Sequence, residues 1–388
     1  MIDEKLKTFA TETQAKYIDA INEHGNAAKA AKALGVVHSS ICRSMASLRK
    51  SAAIRGYSPE HDLTHAVPSP LVLRGTSTLY GGDGKVLIQW VKTKLDAQQV
   101  AEAIRDFVAD LVQDAKGLAK PIAPPKLVME DLLTVYPMGD PHFGMYAWGK
   151  ESGEDFDLDT AEKLTCAAID RLVASAPPSE TALLLELGDF FHADNNSNQT
   201  ARSGNALDVD TRWARVMQVG RRAMVHIIKR LLEKHKRVIV RIVKGNHDDH
   251  SSYALAMMLD AYFDKEPRVE IDLSPAAHWY YKFGKVLIGS THGDMGKMKD
   301  LPGVMAADRA KDWGLTEQRY WYIGHVHHDE VQEYPGVKCE SFRTLAAKDA
   351  WHAGMGYRAG RDMRCIVHHK DFGEIERHRC DIAMIRAA

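Results

Sequence analysis

The stretch VIVRIVKGNHDDH, residues 238–250, runs from an apolar segment into a glycine and then Asn246, His247 and Asp248. Val238 to Val243 has the length and β-branched content of a buried strand. The same arrangement recurs along the chain. Leu132–Val135 leads to Asp140 and His142 in GDPH, Leu183–Leu187 to Asp189 in LGDFFH, Val286–Ile288 to His292 in STHGD, and Tyr320–Ile323 to His325 and His327 in GHVHH. Amphipathic segments at Thr160–Ser175 and Arg212–His235 separate some of these runs, an alternation that predicts a layered α/β domain with a largely buried sheet. Ligands of such sheets collect outside the carboxyl ends of the strands, so the polar groups are expected to converge on one rim.

Taken singly, GDPHFG is a plain turn and GHVHH a pair of strand-end histidines; five such endings together favour a metal site. Imidazole, carboxylate and amide oxygen form a ligand set suited to Mn, Fe or Zn, and thiolates are not grouped as a structural zinc requires. The chain carries 19 histidines and only five scattered cysteines, which read as reduced thiols. A net charge of −1 leaves any attraction to nucleic acid to a local patch. No run has the roughly 20 apolar residues of a bilayer span, and the start lacks a signal-peptide core, so a cytoplasmic protein without membrane contact is expected.

Residues 1–57 show helical periodicity in three segments, with Gly25 and Gly35 at expected stops and Asn26 and Ser39 at expected starts. Residues 58–127 predict a hairpin around GGDG and a helix from Ala97 to Leu118, a connector or dimerising module. The spacing of Ala31, Gly35 and Ile41 resembles a helix-turn-helix, whose second helix would present Ser39, Ser40, Arg43, Ser44, Ser47 and Lys50 to a DNA major groove. Nine Lys/Arg against five Asp/Glu in residues 1–57 give that zone a modest basic balance. A three-helix interaction module is the alternative.

The ordered blocks D-x-H, G-D, G-N-H-D, H-G-D and G-H-x-H resemble the calcineurin-like metallophosphoesterase superfamily over roughly residues 130–330. The resemblance implies a four-layer α/β/β/α sandwich over residues 128–388 and two divalent metals, Mn²⁺ or else Fe or Zn. Asp140, His142, Asp189 and His327 would hold one ion; Asp189, Asn246, His292 and His325 would hold the other, with Asp189 bridging. His247 would meet the phosphate unliganded. Hydroxide made available by the metals would attack phosphorus in line, with His247 steadying or protonating the leaving oxygen. Asp294 is expected to orient a ligand, and His250 and His328 to be solvated or supporting residues.

GDFFHADN is similar to SbcD-like and related double-strand-break-repair nucleases, which implies a catalytic role for His192 and, with the N-terminal module, a DNA nuclease. After residue 330 the chain lacks the apolar helical pattern with which those nucleases dock a coiled-coil ATPase. A stand-alone enzyme of phage or mobile-element type is therefore expected, with a homodimer as an option. The residues after 330 are expected to finish the second sheet, with His352, His368, His369 and His378 as surface or sheet residues. The polar loop Asn195–Thr211, with Arg202, is expected to contact substrate phosphates, form a dimer interface or act as a lid. The rival function is a small-molecule phosphodiesterase or nucleotidase whose N-terminal helices serve assembly.

Overall fold

The computed structural model describes residues 2–68, 71–95, 113, 115–200 and 203–387. The expected helix Ala97–Leu118 falls mostly outside these residues, and Arg202 lies outside them. The chain is a mixed α/β structure that separates into two compact units, Met1–Phe107 and Val108–Ala388.

In the first unit, a 3₁₀ turn Glu4–Phe9 precedes α1 (Glu12–His24), α2 (Ala27–Leu34) and α3 (His38–Ile54). Thr11 and Gln14 form a reciprocal capping box at the start of α1, and the Asn26 side chain caps α2. Gly25 and Gly35 end α1 and α2 in the left-handed conformation that glycine adopts without a Cβ penalty. Ser39 is not a cap: α3 begins one residue earlier, after Val37, with no side-chain bond at its start. Ile18, Ile21, Ala31, Ile41 and Leu48 close a small core between the three helices. Short strands β1 (Tyr57–Ser58) and β2 (Leu63–Thr64) follow, and then an antiparallel hairpin of β3 (Leu71–Tyr80) and β4 (Val86–Leu95).

The second unit carries two sheets. The first has six strands, in spatial order β15 (Gly373–Asp381), β14 (Asp362–His369), β5 (Met129–Met138), β6 (Ser179–Glu186), β7 (Arg237–Ile242) and β8 (Val269–Asp272). Strands β5 to β8 are parallel; β14 and β15 add antiparallel pairings at the β5 edge. The second has five strands, in order β12 (Glu330–Tyr334), β13 (Val337–Ser341), β11 (Gln318–Ile323), β10 (Val286–Thr291) and β9 (Trp279–Phe283), of which β10, β11 and β13 are parallel. Residues 362–381 therefore return to the first sheet; of the segments after residue 329, only β12 and β13 join the second. β14 pairs antiparallel with β5 and β15 folds back on the outer side of β14, a pairing the local sequence does not encode.

Side-chain alternation assigns the faces. Leu133, Val135, Leu183 and Leu185 of the first sheet meet Val286, Ile288, Tyr320 and Tyr322 of the second in one core. Each aliphatic side chain fully buried there contributes roughly 1.5–3 kcal/mol. The intervening residues Leu287, Trp321 and Ile323 point outward, under the helix Leu301–Asp308. Helices Leu158–Ser175 and Trp213–Lys234 bury apolar stripes on the outer side of the six-stranded sheet. The parallel strands of both sheets send their carboxyl ends to one rim. Among the described residues no helix is long and apolar enough to cross a membrane.

Candidate metal centre

The chain leaves β5, β6 and β11 through unusual backbone. Among the described residues, seven non-glycine residues have left-handed φ, and five of them are Asp140, His142, Asp189, His325 and His327. Such conformations cost roughly 1–3 kcal/mol each and persist where the surroundings over-determine them. Here hydrogen bonds do so. The Asp140 carboxylate accepts the His325 backbone N–H at 2.9 and 3.0 Å, and its carbonyl accepts the Thr344 hydroxyl at 2.6 Å. Asp189 Oδ1 accepts the His247 backbone N–H at 2.8 Å, while its carbonyl accepts that of His142 at 3.1 Å.

Two glycines make room. A Cβ on Gly245 would lie 1.9 Å from Asp189 Oδ1, and one on Gly188, at φ +97°, would lie 2.5 Å from His292 Nδ1. These positions accept no side chain while the acidic and imidazole groups stay where they are.

The converging atoms form overlapping groups. Asp140, His142 and His327 make one and Asp189, His292 and His325 another, and within each the potential ligand atoms lie within 4.8 Å of one another. His142 Nε2 is 3.1 Å from His327 Nε2, and His327 Nε2 is 3.4 Å from Asp140 Oδ1. His292 Nε2 is 3.1 Å from Asn246 Oδ1 and 3.2 Å from Asp189 Oδ2. Ligands about 2.1 Å from a shared tetrahedral cation stand about 3.4 Å apart, so these spacings fit atoms arranged around an ion. His292 Nδ1 is 2.9 Å from the Leu187 carbonyl; donating there leaves Nε2 as the free lone pair, the device by which metal-binding imidazoles are oriented. A third group joins His142, His192 and His247.

Protonation follows the same logic. Burial, then the neighbouring His247 and His327, holds His142 well below the usual histidine range, so its ring is neutral. Burial opposes charge on His292 and His327 too, but the carboxylates of Asp189 and Asp140 outweigh it and raise both. Asp189 is buried, which favours its neutral form, yet His292 beside it holds its carboxyl well below the usual range. Protons thus stand where cations would bind, and loading metal would release them. Burial, then His247, brings His192 down to about 3. Its Nδ1 lies 3.2 Å from His142 Nδ1, and its buried Nε2 has no hydrogen-bond partner. The nitrogen and oxygen donor set, the facing imidazole nitrogens and this orphaned nitrogen fit a site for divalent metal.

His247 Nδ1 is 2.8 Å from the His192 carbonyl and its ring stacks on that of His192, while its Nε2 lies 4.0 Å from Asp189 Oδ2. Asp248 ties two loops by accepting the backbone N–H groups of Phe191 and Gly245 at 3.1 and 3.0 Å. Burial and then Asp189 push it up to about 8. His250 pairs with Asp194 at 2.5 Å, at the edge of the site, and the His328 Nδ1 is 2.7 Å from the Val326 carbonyl.

His352 departs from its expected place. It sits on the short helix Ala350–Gly354, with its ring stacked on His327 at 5.0 Å and Nδ1 2.7 Å from Asp349 Oδ1. Thr344, Asp349 and His352 belong to no strand-end block, so only folding brings them to the rim. His368, His369 and His378 do lie in β14 and β15. On α3, Ser39, Arg43, Ser47 and Lys50 are exposed, and Ser40 and Ser44 half-buried.

No family model matches the sequence, and no curated protein matches it. Solved structures that resemble it include vacuolar protein sorting 29 from Cryptosporidium parvum, with a TM-score of 0.31 at 13% identity, covering 65% of this chain and 97% of that one. A predicted phosphoesterase from Streptococcus pneumoniae matches with a TM-score of 0.27 at 11% identity, covering 65% and 99%. The zinc complex of Vps29 from Entamoeba histolytica matches with a TM-score of 0.25 at 14% identity, covering 64% and 98%. Likeness at this level carries no inference about metals or activity in this chain.

Proposed function

We propose that this chain is a dinuclear-metal phosphodiesterase that cuts DNA. In this reading residues 128–388 are a four-layer α/β/β/α sandwich of the calcineurin-like metallophosphoesterase kind, residues 1–57 a helix-turn-helix module and residues 58–127 a connector. The observation that carries it is the convergence, from five strand ends, of carboxylate and imidazole atoms at ligand spacing, with left-handed backbone after three of the strands. Asp140, His142, Asp189 and His327 would hold one ion, and Asp189, Asn246, His292 and His325 the other. When bound, the ions supply charge neutralisation at phosphoryl oxygens and a water acidified into the neutral range.

The protein's own groups do the rest. His247 donates from Nδ1 to the His192 carbonyl, which leaves Nε2 to carry the proton for the departing oxygen. The His192 ring, stacked on that of His247, fixes its plane, and Asp248 holds the loops of Phe191 and Gly245 together. The exposed Ser39, Arg43, Ser47 and Lys50 support a DNA partner, because hydroxyl and guanidinium groups suit phosphates and base edges.

Manganese-loaded protein is to be offered linear duplex DNA, single-stranded DNA and a small aryl phosphodiester. Cleavage of DNA is expected. Hydrolysis of the aryl diester with neither DNA cut defeats the DNA reading in favour of a small-molecule phosphodiesterase. Deleting residues 1–57 is expected to lower duplex affinity without loss of aryl-diester hydrolysis.

A further inference from the structure

Next to the metal centre lies a partly open cleft of about 120 Å³, whose lining includes His327, Lys348, His352, Tyr357 and Arg361. It shares His327 with the centre, so whatever fills it is continuous with whatever is bound at the metals. An aromatic array runs out from that shared residue. His352 stacks on His327 with 19° between the rings, Tyr357 meets His352 edge-on at 5.1 Å, and Trp351 lies 5.0 Å from His352 and 5.8 Å from Tyr357. The inner end is anchored, since Asp349 accepts the His352 backbone N–H at 2.8 Å and lies 2.7 Å from its Nδ1. The outer end is open: Trp351 is 59% exposed and Tyr357 36%.

The charges narrow the occupant. Glu154, the acidic residue of the lining, is paired with Arg361 at 2.6 Å and also with Arg386, so with Lys348 the lining carries a net positive charge. Exposed rings beside a cation and a phosphate-handling centre match a strand whose bases are unpaired: each base offers a flat face for stacking and each linkage an anion.

We propose that Trp351 and Tyr357 form a base-stacking platform, which seats an unpaired nucleobase one step from the scissile phosphate while Lys348 meets the adjoining phosphate. A base-paired nucleotide presents no free face to such a platform, so the substrate is held as a single strand or a frayed end. This rests on the phosphodiesterase reading and adds to it the strand state of the substrate.

The test is fluorescence anisotropy with full-length protein in Mn²⁺ and a phosphorothioate-protected, labelled oligothymidylate, against an abasic oligonucleotide of equal length. Wild type is expected to bind the thymidylate about tenfold more tightly, and the double variant Trp351→Ala/Tyr357→Ala to lose that preference. Melting temperature and bound-metal stoichiometry, measured on both proteins, separate loss of stacking from loss of fold. Equal affinity of wild type for the two oligonucleotides, or a variant that keeps the preference, overturns the platform while leaving DNA cleavage to stand. Absence of both oligonucleotide binding and DNA cleavage overturns the DNA reading along with the platform.

Discussion

Buried histidines occur in two regions of the second unit, the rim and the body of the first sheet, and they differ in what they face. In the body, His235 is fully buried, yet both its nitrogens have partners: the Tyr136 hydroxyl lies 2.9 Å from Nε2 and the Ser179 hydroxyl 2.8 Å from Nδ1. His368 is held by one such contact, the Tyr322 hydroxyl 2.8 Å from Nε2, while its buried Nδ1 has no partner and no second ligand atom converges on it in a metal-holding group among the described residues. At the rim, imidazole faces imidazole and carboxylate, at 3.1 Å between His142 and His327 and 3.2 Å between His292 and Asp189. The backbone under these groups is left-handed at Asp140, His142, Asp189, His325 and His327. Burial is common to both regions; a binding function shows in unsatisfied, converging atoms held on strained backbone.

That contrast breaks first at Asp189. Asp189→Ala removes the carboxylate nearest His292, so bound metal should fall and hydrolysis of a small aryl phosphodiester should drop roughly 10³-fold, the several kcal/mol that metal assistance supplies. Retained metal with near-normal turnover would place the chemistry elsewhere. Gly245→Ala tests the same centre without deleting a ligand. Its methyl would sit 1.9 Å from Asp189 Oδ1, and displacement by about an ångström should cost roughly 10²-fold in turnover.

The body offers a smaller, purely structural effect. Burial holds His235 down to about 4, below its ordinary 6.5. The unfolded chain therefore takes up the proton first, and stability falls as pH drops from about 6.5 to about 4. The loss approaches roughly 3 kcal/mol, is fully absent above that window and levels off below it. Urea midpoints of His235→Gln across that range should show a flatter profile than wild type, with metal binding at neutral pH unchanged.

Much of the rim was legible in the sequence because a parallel strand and its ligand lie a few residues apart: VRIVKGNHD carries strand, glycine and ligands in one short stretch. The hairpin around GGDG and the stops at Gly25 and Gly35 were legible for the same local reason. Asp349 and His352 were not, since their approach to His327 depends on how far apart segments pack. Nor was the return of β14 to β5, because apolar alternation marks a strand without naming its neighbour. The start of α3 at His38 escaped too, as Val37 offers no capping side chain to mark it.

Counting metal is the most direct measurement. Equilibrium dialysis of metal-free protein against Mn²⁺, followed by elemental analysis, is predicted to find two ions per chain in wild type and a loss of binding in Asp189→Ala. Wild type that takes up no manganese, or an Asp189→Ala protein that still holds two ions, would contradict the account.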